Sequence, residues 1–143
     1  MAHFTYQHIV SFQDTNLVGN VYFASYLNWQ GRCREMFIYE HSPSVLELIN
    51  TDLALITLSC SCEYFDELVA FDKVVIEMNL VSKVQNRVKM QFNYFKSAEQ
   101  GRKLVATGAQ EVCSMLRRGN DLEPCALPAE LEKALDAIVL EKR

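Results

Sequence analysis

The sequence predicts an α+β fold in which a five-stranded antiparallel sheet wraps around one long central helix. Apolar residues recur at helical spacings of three and four over one long internal stretch, residues 22–41. Before and after that stretch, apolar and polar residues alternate along the chain, which is typical of strands. A chain of 143 residues, half of them hydrophobic, fits one domain with one core, so we expect a single domain over residues 1–143.

The first half of the chain is predicted to form a strand, a loop and the long helix. Residues 3–12 alternate in the manner of a strand, and a mostly polar stretch over residues 13–20 predicts a loop. Residues 22–41 carry the helical pattern. We expect the helix to end near His41, because Pro43 disfavours helical geometry in the residue that precedes it.

The second half is predicted to be rich in strands, after a short helical turn at residues 45–50. Four long strands follow, over residues 53–66, 73–85, 87–97 and 102–117. The gaps between them are short, so neighbouring strands are expected to pair as antiparallel hairpins. A C-terminal helix is predicted over residues 128–141, with Leu131, Leu135 and Ile138 along one face.

A sheet of this size must cover its apolar face, and residues 22–41 form the only long internal helix. Wrapping the sheet around that helix satisfies both elements. The helix N-terminus and one sheet edge remain without partners, and pairing of that edge with a second copy is the natural solution. We therefore expect a homo-oligomer, a dimer or a tetramer.

Charge and hydropathy exclude several classes of partner. The net charge of -4 gives no bulk attraction for nucleic acid. No apolar run approaches the roughly 20 residues that a membrane-spanning helix needs. The first eight residues lack the basic and then apolar layout of a signal peptide, so we expect a cytoplasmic protein with no membrane or nucleic-acid partner.

The five cysteines do not indicate a metal site. They form no CxxC pair and no cluster with histidine at zinc-binding spacing. We expect five reduced, mostly buried thiols and no bound metal.

The most informative stretch runs from Phe12 to Trp29 and reads FQDTNLVGNVYFASYLNW. It resembles the loop and helix signature of the 4-hydroxybenzoyl-CoA thioesterase branch of the hotdog enzymes, Asp-x-Asp-x-x-Gly-x-Val followed by aromatic residues and Tyr-x-x-Trp. The first aspartate and four other marker residues are in place, namely Asp14, Gly19, Val21, Tyr26 and Trp29. Asn16 stands where that branch has its catalytic carboxylate.

With this replacement, the chain resembles a narrower group, the thioesterases that accompany iterative enediyne polyketide synthases. Two blocks carry the resemblance, TNLVGNVYF at residues 15–23 and WQGRCREMF at residues 29–37. The resemblance implies a hotdog fold and hydrolysis of a long polyene β-ketoacyl chain from the acyl carrier protein domain of the synthase, followed by decarboxylation of the released β-keto acid. It also implies active sites at subunit interfaces and no metal or organic cofactor.

The loop and the start of the helix supply candidates for handling the thioester carbonyl. The Phe23 amide lies at the predicted helix N-terminus, where free N–H groups and the helix dipole can polarise an oxygen that becomes negative. Asn16 can hold a carbonyl or a water through hydrogen bonds, but an amide cannot take up a proton. Gly19 would let the loop backbone approach the substrate, and Asn20 beside it is a second candidate for binding substrate. The alternatives are an ordinary helix start, a turn glycine and a loop asparagine that bonds its own backbone.

Tyr26, Gln30 and Arg34 are four residues apart and so lie on one ridge of the helix. We expect Tyr26 and Arg34 to be catalytic and Gln30 to bind substrate. The Arg34 cation could hold a β-keto oxygen, or the enolate that forms as carbon dioxide leaves. The alternative is a surface arginine paired with a carboxylate such as Glu35 or Glu40.

No general base is evident. Glu63 is the best substitute for the missing carboxylate and is grouped with the substrate-binding residues, whereas the resemblance implies a structural role for Asp14 at the loop. A water oriented against a polarised thioester, with no side-chain base, is the alternative. Cys33 is a poor candidate for a nucleophile because no histidine is linked to it. Arg32 is expected to be structural or to contact the carrier.

Two other functions remain open at this point. One is a generic acyl-CoA thioesterase with its carboxylate elsewhere in the sequence. The other is a hotdog protein that binds an acyl chain without catalysis, which the asparagine at position 16 would favour.

Overall fold

The computed structural model describes residues 3–141 and has the predicted α+β architecture, a curled antiparallel sheet packed around one long helix. The strands are β1 (Phe4–Ile9), β2 (Leu53–Tyr64), β3 (Lys73–Val84), β4 (Arg87–Ala98), β5 (Gly101–Arg118) and the short β6 (Asp121–Pro124). Their order in the sheet is β1-β3-β4-β5-β2, and β6 pairs with the end of β5.

The long helix, α1 (Phe23–His41), lies against the inner face of the sheet and buries Trp29, Cys33 and Phe37 there. It ends where predicted, and the Ser42 N–H closes it by donating to the carbonyl of Ile38. Two shorter helices, α2 (Ser44–Ile49) and α3 (Ala129–Asp136), pack against α1. A single turn of 3₁₀ helix (Phe12–Asp14) follows β1.

The structure corrects one predicted pairing. β3–β4 and β4–β5 are hairpins as expected, but β2 pairs with β5 and β3 pairs with β1. The connection over residues 65–72 therefore crosses from one side of the sheet to the other. Leu68 in this connection is fully buried, and Val69 forms a β-bridge with Asn20. These two contacts hold the crossing segment against the loop that precedes α1.

Two segments in the C-terminal part of the chain also differ from the expectations. β6 is not among the predicted strands, and it forms because Gly119, at φ +60°, turns the chain so that Arg118 pairs with Asp121. The helix predicted to reach residue 141 stops at Asp136, since the next residues return to β3. There the Leu80 N–H donates to the carbonyl of Ile138, which is fully buried.

One long edge of the sheet is open in the described part of the chain. β2 pairs only with β5, and a β-bulge between Thr57 and Ser59 bends it beside α1. Leu58 and Cys60 on this strand are exposed. Pairing of this edge with a second copy remains a prediction.

The thiols are less buried than expected. All five cysteines are free, but only Cys33 and Cys113 are buried. Within residues 3–141, no helix is long and apolar enough to cross a membrane. Over the same residues, histidine, cysteine and carboxylate side chains form no cluster of three or more that could hold a metal ion.

Candidate active site

Asp14 organises the loop between β1 and α1. Its side chain accepts hydrogen bonds from the Ser11 N–H at 2.9 Å and the Ser11 hydroxyl at 3.1 Å, and it pairs with His8 Nε2 at 2.8 Å. Its carbonyl accepts the Tyr22 N–H at 2.8 Å and the Ser25 hydroxyl at 3.0 Å. Burial raises the pKa of this carboxyl, but the hydrogen bonds from Ser11 and His8 outweigh it and leave the pKa below its usual value. These contacts give Asp14 a structural position, with His8 and Ser11 as partners that sequence reasoning missed.

Asn16 sits in an exposed turn with its side-chain oxygen occupied. Asn16 Oδ1 accepts the Val18 N–H at 3.0 Å, and its carbonyl accepts the Gly19 N–H at 3.0 Å. This is the loop geometry named above as the alternative for Asn16. The amide nitrogen Nδ2 makes no hydrogen bond within the described residues, so the side chain can still donate to a carbonyl or a water. Gly19 adopts φ +92°, a conformation that favours glycine and closes this turn.

Asn20 ties the loop to the crossing segment. Its Nδ2 lies 3.4 Å from a carboxylate oxygen of Glu67, and its Oδ1 is buried without a partner in the described residues. Its carbonyl accepts the Asn16 N–H at 2.9 Å. The structure thus gives Asn20 a contact within the loop, while substrate binding by this residue stays a prediction.

The first turn of α1 leaves donors free. Tyr22 precedes the helix and makes no side-chain cap. The Phe23 N–H makes no hydrogen bond in the part of the chain that the structure describes, and Phe23 itself is exposed. The Tyr64 hydroxyl donates to the Phe23 carbonyl at 2.9 Å, which fixes this turn against the end of β2. The Phe23 amide is therefore held in place and available to an outside acceptor.

The ridge of Tyr26, Gln30 and Arg34 faces β2 and runs antiparallel to it. The Tyr26 ring packs edge-on against Tyr64 at 4.8 Å between ring centroids. One turn later, Gln30 Nε2 donates to the carbonyl of Ser61 at 2.8 Å. The structure therefore brings the three predicted residues together along the contact between α1 and the open edge strand, called the cleft below, in which Tyr26 and Gln30 are almost fully buried.

Tyr26 is a neutral phenol within an aromatic cluster. Its ring contacts those of Trp29 and Tyr94 as well as Tyr64, and it is almost fully buried. Burial raises the pKa of its hydroxyl to about 12. The phenol can donate a hydrogen bond near neutral pH, but it does not act as a base there.

Gln30 reaches β2 only because β5 has a glycine beneath it. Gln30 is fully buried, and a Cβ built on Gly108 would collide with its carboxamide and with the carbonyl of Ser61. Gln30 Oε1 is buried without a hydrogen bond in the described residues. Sequence reasoning missed Gly108, whose signal is a glycine at an inward-facing position of a central strand.

Arg34 is not the ion-paired surface residue of the alternative interpretation. Its Nη1 donates to Gln110 Oε1 at 2.7 Å and to the Thr57 hydroxyl at 3.2 Å. No ion pair found within residues 3–141 includes Arg34, and Glu35 is instead bound by Arg32 at 3.3 Å. Burial lowers the pKa of the Arg34 guanidinium, although an arginine stays charged at physiological pH.

Thr57 and Gln110 were not identified from the sequence. Gln110 lies on the inner face of β5, between the inward positions of Gly108 and Val112, and is 5% exposed. An uncharged polar side chain at a core position of a strand is the signal that could have found it. The contact itself joins residues 76 apart in the chain, so no local pattern predicts it.

Glu63 does not share the cleft. Its strand neighbours Cys62 and Tyr64 face α1, so Glu63 faces outward, where it lines a groove of about 240 Å³ with Lys89 and Thr107. Within one protomer, the structure therefore separates Glu63 from the other predicted site residues. Cys33 is fully buried and burial raises the pKa of its thiol to about 12, so it is not a nucleophile.

A narrow apolar cavity continues beyond Arg34. It measures about 20 Å³, enough for about one water molecule, and Phe37, Met90, Leu131 and Leu135 are among its walls. A wider groove of about 430 Å³ lies along β1 and β3 and contains none of the predicted site residues. The cavity between α1, α3 and the sheet is thus the continuation of the cleft, and it is almost closed.

Comparison with known proteins identifies the family. The sequence profile of the thioesterase-like superfamily matches residues 10–135. A comparison with curated proteins gives no match. Among solved structures, the dynemicin thioesterase, studied for induced-fit and allosteric effects upon polyene binding, is 42% identical, with a TM-score of 0.94 over 98% of this chain and 99% of that one.

Two further structures are similar in fold. A mutant of 4-hydroxybenzoyl-CoA thioesterase in complex with 4-hydroxybenzoyl-CoA is 16% identical, with a TM-score of 0.83 over 94% of this chain and 99% of that one. A 1,4-dihydroxy-2-naphthoyl-CoA thioesterase from Synechocystis is 21% identical, with a TM-score of 0.80 over 94% and 96%. The profile match, the curled sheet around α1 and the free donors at the start of that helix lead to one conclusion: the chain belongs to the thioesterase-like superfamily, has its hotdog fold and is a thioesterase.

Proposed function

We propose that the protein hydrolyses a long polyene β-ketoacyl thioester held on the acyl carrier protein of an iterative, enediyne-type polyketide synthase, and that the released β-keto acid is decarboxylated. The observation that carries this proposal is Arg34. Within residues 3–141 this cation has no carboxylate partner, and it lies along the cleft that starts at the Phe23 amide. The 42% identity with the dynemicin thioesterase, whose structures describe polyene binding, supports a polyene chain as the ligand.

The chemistry requires a polarised carbonyl and a water. The Phe23 N–H stabilises the negative charge that develops on the thioester oxygen as water adds to its carbon. Asn16 Nδ2 donates to the water or to the substrate carbonyl and holds it in line. The C–S bond then breaks, one proton of the attacking water goes to the carrier thiolate and the other to solvent, and the acyl chain leaves as a carboxylate.

Arg34 acts on the β-keto acid after its release. It lies eleven residues, or about 16 Å, along α1 from the Phe23 amide, so the acid moves along the cleft once the C–S bond has broken. When the β-keto acid loses carbon dioxide, its electron pair is left on an enolate, which is then protonated to give a methyl ketone. A guanidinium stabilises the enolate oxygen as the charge forms, because a cation in a partly desolvated cleft interacts strongly with an anion. A plain acyl chain has no group that would use this cation.

The acyl chain extends into the cavity beyond Arg34. A space of about 20 Å³ holds no polyene, so we infer that the side chains of α1 and α3 move apart when the chain binds. The induced fit described for the dynemicin thioesterase supports this step. Pairing of the open β2 edge with a second copy completes the site at a subunit interface, in a cytoplasmic homo-oligomer that needs no cofactor.

One observation favours a different function. Asn16 lacks a titratable group, and its oxygen is already bound by the Val18 N–H. A protein that binds the acyl chain without hydrolysing it would show the same arrangement.

A substrate panel tests the proposal and this alternative together. The purified protein is mixed with carrier protein loaded with a 3-oxodecanoyl or a decanoyl chain, and with decanoyl-CoA, and free acid and ketone are measured by mass spectrometry. We expect fastest release from the 3-oxodecanoyl carrier, slower release by Asn16→Ala, and wild-type rates for Arg118→Ala, whose arginine is exposed and paired with Glu123. Fastest turnover of decanoyl-CoA, or binding of all three without release, would overturn the proposal.

A further inference from the structure

The contacts of Arg34 leave most of its charge and donors unused. Both of its hydrogen bonds use Nη1, and both acceptors, the Gln110 amide and the Thr57 hydroxyl, are neutral. Nη2 and Nε have no partner in the part of the chain that the structure describes. A guanidinium carries five N–H donors, so three of them remain for another molecule.

Gln110 is an unexpected residue for its place in the fold. It lies on the buried face of β5, where its neighbours Gly108 and Val112 are apolar. An apolar side chain would fill this position at lower desolvation cost if packing alone mattered. A carboxylate of nearly the same shape would bind the guanidinium more strongly, because charge-assisted hydrogen bonds are about twice as strong as neutral ones. The amide is thus neither the cheapest residue to bury here nor the strongest partner for an arginine. It orients Arg34 without neutralising its charge.

We propose that Gln110 is a positioning residue that, together with Thr57, orients Arg34 through neutral hydrogen bonds and so reserves the guanidinium for an anionic oxygen of the ligand. The ligand chemistry is a carboxylate or an enolate at the head of an acyl chain. This inference rests on the proposed function, in which the β-keto acid and its enolate occupy the cleft. It adds that the identity of residue 110 determines whether the cation is available to them.

The decisive variant is Gln110→Glu, which keeps the shape of the side chain and supplies the missing counter-charge. A carboxylate beside a cation ionises readily, so the new residue will pair with Arg34. Gln91→Glu is the matched control, because it is the same chemical change on the neighbouring strand β4. Gln91 lies one residue from Met90, the register partner of Gln110, and on the outward face of the sheet, where it lines the groove with Glu63. Both variants alter the net charge of the protein equally.

Binding of a simple anion is measured apart from catalysis. The melting temperatures of the wild type and both variants are recorded with sodium octanoate and with 1-octanol, which share a chain length and differ in charge. We expect octanoate to raise the melting temperature of the wild type and of Gln91→Glu more than octanol does. In Gln110→Glu this extra shift is lost, while the melting temperature without ligand stays at or above that of the wild type. If Gln110 were needed only for folding, its replacement would lower the melting temperature without ligand instead.

The catalytic readout uses carriers loaded with 3-oxodecanoyl and decanoyl chains. In Gln110→Glu the ratio of methyl ketone to free 3-oxodecanoic acid falls by about tenfold, which corresponds to about 1.4 kcal/mol, while release from the decanoyl carrier is unchanged. Gln91→Glu keeps the wild-type ratio. An octanoate shift in Gln110→Glu equal to that of the wild type would overturn the inference, even with hydrolysis intact. If the wild type hydrolyses neither carrier but shows the charge-dependent shift, the proposed function is wrong and the inference about Gln110 stands.

Discussion

His8 Nε2 lies 2.8 Å from a carboxylate oxygen of Asp14, and this pair joins β1 to the loop that carries Asn16. The same carboxylate receives the N–H and the hydroxyl of Ser11. The position of Asn16 thus depends on the carboxylate two residues earlier, which is bound by Ser11 and His8. The aspartate of the motif therefore anchors the loop.

Replacing Asp14 with asparagine should destabilise the protein in a pH-dependent way. The folded-state pKa of this carboxyl is lowered, so its contribution is present at pH values above its unfolded pKa of about 3.9 and is lost as the pH falls through the folded value. We expect Asp14→Asn to lower the free energy of unfolding by about 1–2 kcal/mol at pH 7. In urea titrations, the difference in unfolding free energy between Asp14→Asn and the wild type should become smaller near pH 3.

Asp121→Asn is the control for this change, because Asp121 is exposed at the turn into β6. It should leave the free energy of unfolding within about 0.5 kcal/mol of the wild type at both pH values. A gap for Asp14→Asn that stays constant from pH 7 to pH 3 would contradict the assigned role of the ionised carboxylate.

Two glycine substitutions should have opposite effects on stability. A methyl group on Gly108 would collide with the Gln30 carboxamide and the Ser61 carbonyl, so Gly108→Ala should cost about 1–3 kcal/mol of unfolding free energy. Gly31 lies inside α1 with no heavy atom within 4 Å of its virtual Cβ, so Gly31→Ala should add about 0.5–1 kcal/mol. Urea denaturation of both variants measures the free energy of unfolding. Equal changes in the two variants would show that the Gln30 side chain does not pass over Gly108 as described.

Cys33 should be dispensable for hydrolysis. It stands on α1 between the ridge residues Gln30 and Arg34, but its thiol is fully buried and its pKa is raised to about 12. Cys33→Ala should release the acyl chain at the wild-type rate while losing some thermal stability through the lost packing. Complete loss of release in a variant that remains folded by circular dichroism would make the thiol a nucleophile after all.

The cavity behind Arg34 should limit chain length. Leu131 of α3 forms part of its wall, and Leu131→Phe would fill the little space that exists. We expect this variant to hydrolyse a 3-oxobutanoyl carrier at the wild-type rate and a long 3-oxoacyl carrier several-fold more slowly. Competition assays with mixed chain lengths give the ratio of the two hydrolysis rates directly. An unchanged ratio would mean that the acyl chain does not enter this cavity.

The sequence predicts local structure and the helical ridge well, for physical reasons. The extent of α1 follows from its apolar period and from Pro43, and the spacing of Tyr26, Gln30 and Arg34 puts them on one ridge in any helix. The strand limits are within two residues of the predicted ones for β2, β3, β4 and β5. Each of these features depends on residues that are close in the chain.

Features that join distant residues were not predictable in this way. The length of the segment between β2 and β3 suits a hairpin, and only burial of Leu68 against the core shows that it crosses the sheet. Similarly, Arg34 finds Gln110 through the tertiary fold. The sequence motif indicates which residues matter, whereas the neutral partners of the arginine are visible only in the structure.

The central claim is that the Arg34 cation serves the β-keto group of the substrate. The direct test is the ratio of methyl ketone to free 3-oxodecanoic acid formed from the 3-oxodecanoyl carrier, measured for the wild type and Arg34→Gln. We predict that this ratio falls at least about tenfold in the variant, about 1.4 kcal/mol, while release of decanoic acid from the decanoyl carrier stays near its original rate. An unchanged ratio, or an equal fall in decanoyl release, would contradict the account.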